Sequence, residues 1–121
     1  MPPTRQPAFR LPLHPHVLLI LASLGETPLH GYRLRQALVE QSDGTVRLDP
    51  GSLYRLIARL LDDGLLEERS APRGADRDDE RRRYYGLTKL GREVLLAETT
   101  RLEDLVATVR ATKALDKPRH A

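Results

Sequence analysis

The chain has 121 residues, 31% of them charged, a net charge of +3 and no cysteine, which bounds it to one small domain and excludes disulfide and thiol chemistry. No apolar run approaches the ~20 residues that span a bilayer, and Met1–Leu13 lacks the apolar core of a signal peptide, so a cytoplasmic location is expected. The pI near 9.6 points to an anionic partner, but residues 41–70 hold four basic and six acidic side chains, a balance of −2, and no segment is polybasic; such a partner must be held by a few placed arginines.

Residues 1–13 read as a flexible arm carrying Arg5 and Arg10. Val17 to Leu24 is nearly all apolar, which predicts a buried helix from about His14 to Leu24. A helix apolar on several sides needs cover on several sides, and in so small a domain a second subunit can supply it; Leu18 is assigned to that contact. Gly25 to Pro28 is a turn. His30-Gly31-Tyr32 opens a second helix running to about Gln41, with Leu34, Ala37 and Leu38 inward and Arg33, Gln36 and Glu40 outward. Asp43-Gly44 is a turn, and Val46-Arg47-Leu48 reads as a short strand.

Asp49 to Gly64 carries the most information. Asp49 caps a helix, Pro50 suits its first position and Gly64 its stop. Leu53, Leu56, Ile57 and Leu60 follow the spacing of a buried helical face. Ser52, Arg55 and Arg59 fall on the opposite face, as on a recognition helix meeting base edges and phosphates in a major groove. Two helices, a connection and this helix make a helix-turn-helix plan. Leu65 to Arg69 then reads as a strand, Ala71 to Glu80 as a mobile charged loop, and Arg81 to Leu87 as the return strand. In that strand Arg83, Tyr85 and Leu87 point one way, Arg82 and Tyr84 the other. This is a wing, whose Arg81, Arg82 and Arg83 can reach phosphates or the minor groove.

Thr88 caps a last helix predicted to run to about Leu115, before a disordered tail at 116–121. Leu90, Val94 and Leu95 pack on the domain. Further out, Leu102, Leu105, Val106 and Val109 repeat the helical stripe with nothing of their own to bury against. A second copy of the same helix is the economical cover; the competing reading is a helix folded back on the chain.

Other chemistry is set aside. The four histidines do not group with acids into a catalytic or metal spacing, and His14-Pro15-His16 is only a weak metal candidate. Asp78, Asp79 and Glu80 lie in a charged loop without framing glycines. No phosphate-cradling glycine loop or nucleophile elbow is present. No enzyme activity and no cofactor are expected.

The assembled chain resembles a PadR-type winged helix-turn-helix transcriptional regulator of the short form. The marks are His30-Gly31-Tyr32; Pro50-Gly51-Ser52-Leu53-Tyr54-Arg55, then Arg59-Leu60 and Asp63-Gly64-Leu65; and Arg83-Tyr84-Tyr85-Gly86-Leu87-Thr88, then Gly91. They span about residues 14–95 in order. The resemblance implies a mainly α fold with a small β-hairpin. A winged helix-turn-helix domain at 14–87 would be followed by a long dimerisation helix at 88–115. It implies a homodimeric repressor on double-stranded DNA, joined through the last helix and the first; the two-fold symmetry of such a dimer in turn predicts an inverted-repeat operator. In some members a small aromatic or drug-like effector at the dimer interface releases DNA. Carried onto this chain, Ser52, Tyr54 and Arg55 fall where the recognition helix touches DNA, and Tyr32 where a hydroxyl reaches a phosphate. Tyr84 and Tyr85 fall at the wing base in a structural role. The acidic loop at 76–80 departs from the family's often basic wing. With no Trp and one Phe, an indole-stacking effector pocket is excluded. The alternative reading is a winged-helix protein-interaction module without DNA binding. The acidic wing favours it, and the outward Ser52, Arg55 and Arg59 oppose it.

Overall fold

A computed structural model describes residues 11–117. The arm's residues 1–10, with Arg5 and Arg10, and the tail's residues 118–121 lie outside the described residues. The elements run α1 (Pro15–Glu26), β1 (Leu29–His30), α2 (Gly31–Gln41), α3 (Pro50–Asp62), β2 (Leu66–Arg69), α4 (Arg77–Glu80), β3 (Tyr84–Leu87) and α5 (Lys89–Ala111). The fold is mainly helical with one three-stranded antiparallel sheet, ordered β1-β3-β2.

Local rules place each helix. His14 caps α1, its imidazole Nδ1 accepting the His16 N–H at 3.1 Å. The Asp49 carboxylate accepts the Ser52 N–H at 3.3 Å, with Pro50 at the first helical position of α3. α3 closes on Gly64 at φ 78°, a conformation only glycine adopts cheaply. The Leu65 N–H reaches the Leu60 carbonyl and the Gly64 N–H the Leu61 carbonyl, the paired bonds of a Schellman stop. Thr88 caps α5 by accepting the Gly91 N–H, while its hydroxyl donates to the Gly64 carbonyl at 2.6 Å. The stop of α3 and the start of α5 therefore share one hydroxyl.

The core joins Ile20 and Leu21 of α1, Leu34 and Leu38 of α2, and Leu53 and Ile57 of α3. α3 presents Leu53, Ile57 and Leu60 inward, as its spacing predicts.

Several expectations need correction. The wing is not a two-stranded hairpin alone: Leu29 and His30 form a third strand against Tyr85 and Tyr84. That makes β3 the central strand, and Tyr84, Tyr85, Gly86 and Leu87 are all buried, so its two faces do not divide into inner and outer. β3 begins at Tyr84, so Arg81, Arg82 and Arg83 precede it in a turn. Val46–Leu48 is no strand. Its polar groups find other partners: the Val46 N–H donates to Ser42 Oγ, and the Leu48 carbonyl accepts from Arg35 Nε. The charged loop contains the one-turn helix α4, capped by Asp76. α5 stops at Ala111 rather than Leu115, because Thr112 turns to an extended backbone and bonds the Val109 carbonyl. The arm's last residues are tied down: Leu13 is buried, and its N–H donates to Glu98 at 2.8 Å.

Candidate nucleic-acid interface

Three elements converge at the end of the molecule where α2 begins. A small cavity of about 160 Å³ is lined by His30 and Gly31 at the start of α2, Tyr54 of α3, and Arg82, Arg83 and Tyr85 of the wing. Gly31 permits this approach, since a Cβ there would lie 2.5 Å from the Tyr54 hydroxyl oxygen. Tyr32 and Tyr54 leave this corner about half exposed, at 52% and 48%.

On α3, Arg55 and Arg59 are exposed and Ser52 partly so. Arg55 Nη2 donates to Ser52 Oγ at 3.1 Å. The pair is preset one turn from the helix N-terminus, where side chains meet base edges. Asp49 sits beside them, and the hydrogen bonds it accepts at Ser52 hold its carboxyl below the usual range. Arg59 lies 4.0 Å from Asp63.

The three wing arginines differ in their surroundings. Arg83 donates both Nε and Nη2 to Glu68, at 2.9 and 2.8 Å, pairing the wing's two sides. That hydrogen bonding lowers the Glu68 pKa and raises that of Arg83. Arg82 lies over the Tyr32 ring at 5.5 Å and pairs with Asp79 of α4 at 3.3 Å. Arg81 is exposed. Arg82 and Arg83 thus already have carboxylate partners, with which a phosphate would compete.

His30 organises the corner in a way the sequence reading missed. Its Nδ1 accepts the Arg33 N–H at 3.1 Å and caps α2. Its ring stacks on Tyr32 and meets Tyr84 edge-on, and its Nε2 lies 3.7 Å from Asp79. Burial, then the nearby Arg82, lowers its pKa. Because Nδ1 accepts a hydrogen bond, the ring carries its proton on Nε2, the atom that faces Asp79. The usable signal was a histidine directly before Gly31-Tyr32, at the capping position. Arg47 and Arg35 were also missed; with Tyr32, Gln36 and Leu48 they line a cleft of about 240 Å³ beside α2.

Between α1 and α5, Leu18 and Leu19 of α1 and Leu102 and Val106 of α5 line an apolar groove of about 650 Å³. Leu105 and Val109 do not line it and stand on a neighbouring strip, each about half exposed. Among the described residues no His, Cys, Asp and Glu group could hold a metal ion, and no helix is long and apolar enough to cross a membrane.

Residues 20–97 match the Transcriptional regulator PadR-like family. The chain belongs to the PadR-like family. Proteins of this family are transcriptional regulators, not enzymes. A PadR family regulator from Eggerthella lenta superposes with a TM-score of 0.63 at 28% identity, over 83% of this chain and 82% of its own. A PadR-like regulator from Bacillus cereus has the same fold, with a TM-score of 0.67, 24% identity and coverage of 84% and 92%. An uncharacterized 37.1 kDa protein in transposon TN4556 of Streptomyces fradiae is 42% identical over 84 residues, 67% of this chain. This chain spans only about a fifth, 21%, of that relative's length. PadR-like membership supports regulation through DNA at the level of the family.

Proposed function

We propose that this PadR-like chain is a sequence-specific DNA-binding repressor, acting in the cytoplasm as a homodimer on an inverted-repeat operator. The observation that carries the reading is that α3 turns Ser52, Arg55 and Arg59 outward while its Tyr54 meets His30, Gly31, Arg82 and Arg83 around one cavity. Ser52 and Arg55 suit base edges, while Tyr32, Arg81 and Arg82 suit phosphates, which position without reading sequence. A second copy against the α1–α5 groove and the Leu105–Val109 strip would give the dimer its two-fold axis. Two recognition helices so related would read half-sites about one helical turn, ~34 Å, apart. Such a dimer would exclude polymerase where its operator overlaps a promoter, which is the repressor reading. An effector in the groove would meet aliphatic walls, so planar aromatic compounds should release DNA weakly.

The test is a mobility shift on genomic fragments selected by the protein, and on scrambled duplexes, with wild type and Arg55→Ala. Arg55→Ala should cost roughly 1–3 kcal/mol on the selected site and much less on scrambled DNA. Equal loss on both would make Arg55 a phosphate anchor and pass base reading to Ser52 and Arg59. Binding to neither duplex by the wild type would favour the protein-interaction reading, to which the Arg82–Asp79 and Arg83–Glu68 pairs lend support.

A further inference from the structure

The acidic turn of the wing lies against the residues assigned to phosphate contact. One oxygen of Asp79, Oδ1, faces two nitrogen-bearing side chains from different elements: Arg82 Nε at 3.3 Å and His30 Nε2 at 3.7 Å. Arg82 in turn lies over the ring of Tyr32. The turn is held in place by its own backbone, because Asp79 N–H donates to the Asp76 carboxylate and Arg82 N–H to the Asp79 carbonyl. A lone exposed pair three residues apart would carry little meaning. Here the same carboxylate oxygen also faces the capping histidine of α2, whose side chain is only 12% exposed.

We infer that Asp79 is an internal counter-ion standing where a DNA phosphate oxygen would sit, between Arg82 and His30 beside Tyr32, and that it sets how tightly the protein holds DNA of any sequence. The inference rests on the DNA-binding reading above. A phosphate and a carboxylate compete for the same donors. A phosphate arriving here must displace Asp79 and then sit near an unneutralised carboxylate, and like charges a few ångströms apart repel. The ion-pair partners of Asp79, Arg82 and His30, lie off α3, so base reading by α3 is left as it is. Asp79 thus lowers affinity for every duplex by one common factor.

The experiment compares wild type, Asp79→Asn and Asp78→Asn on a selected genomic duplex and a scrambled one, titrated between about 50 and 200 mM salt. Asp78 sits on the same turn with its side chain exposed, so Asp78→Asn makes the same charge change outside the contact. Asp79→Asn should tighten binding to both duplexes by the same factor, about 5- to 20-fold, and steepen the log–log salt slope by about one unit. Asp78→Asn should change binding less than about twofold, since a more distant charge is screened. In an Arg82→Ala background the Asp79→Asn gain should shrink, since only the repulsion between carboxylate and phosphate is then left to relieve. Equal gains from Asp78→Asn and Asp79→Asn would reduce the effect to net charge and overturn the inference. So would no gain, or a gain on one duplex only. If the folded wild type and Asp79→Asn both bind no duplex at low salt, the DNA-binding reading fails and takes the inference with it.

Discussion

Gly91 is buried in the first turn of α5, where the helix passes the backbone of Leu65. A Cβ there would lie 2.2 Å from the Leu65 carbonyl oxygen and 2.6 Å from a Leu87 methyl. Alanine ordinarily favours a helix over glycine by up to about 1 kcal/mol. The obstacle here is backbone, which cannot swing aside as a side chain can, so the clash wins. Gly91→Ala should destabilise the fold by about 1–3 kcal/mol. Urea denaturation should show a lower midpoint at an unchanged slope. Gly31 is a different case: the atoms its Cβ would meet belong to the half-exposed Tyr54 ring, which has room to move.

The N-terminal stretch and α5 are joined by a buried carboxylate. Glu98 is 1% exposed, accepts the Leu13 N–H, and pairs with Arg101 one turn on. Hydrogen bonding from Arg101, helped by Leu13 and opposed by burial, holds its carboxyl below the usual range. The unfolded chain takes up this proton at about pH 4.3, and the folded one only at lower pH. The pair's contribution is therefore complete above about pH 4.3 and fades as pH falls through the folded value. Glu98→Gln should lower the thermal midpoint at neutral pH and flatten its decline between about pH 5 and 3. Little in the sequence announced this pair, since nothing marks a glutamate on a charged helix as buried. α3 was legible because its cap, its period and its glycine stop agree. β1 was not, because two residues carry no periodicity. Val46–Leu48 alternates like a strand but has no neighbouring strand to pair with. The candidate site was legible on α3, where spacing alone sets the outward face. At the wing the Arg83–Glu68 and Arg82–Asp79 pairings depend on how the loop folds, and residue types do not give that.

In the assembled protein, α1 and the outer half of α5 leave apolar surface uncovered. Leu105, Val106 and Val109 are each about half exposed, and Leu18 and Leu102 line the groove beside them. Burying such a surface contributes about 25 cal/mol per Å², which favours a second copy closing over the strip and the groove. Light scattering at micromolar concentration should give twice the chain mass, and replacing Leu105 and Val109 together with Asp should give monomers that bind an inverted repeat weakly. A wild-type monomer, or a footprint on one asymmetric half-site, would refute the dimer.

The bond between Leu13 and Glu98 spans 85 positions of chain, which ties the order of synthesis to the order of assembly. α1 leaves the ribosome before α5, and Leu19 and Ala22 wait for their α5 neighbours until that helix emerges. During that interval α2, α3 and the wing can form around a first helix still bare on one side. A nascent chain halted before residue 98 is thus the species most open to chaperones and proteases.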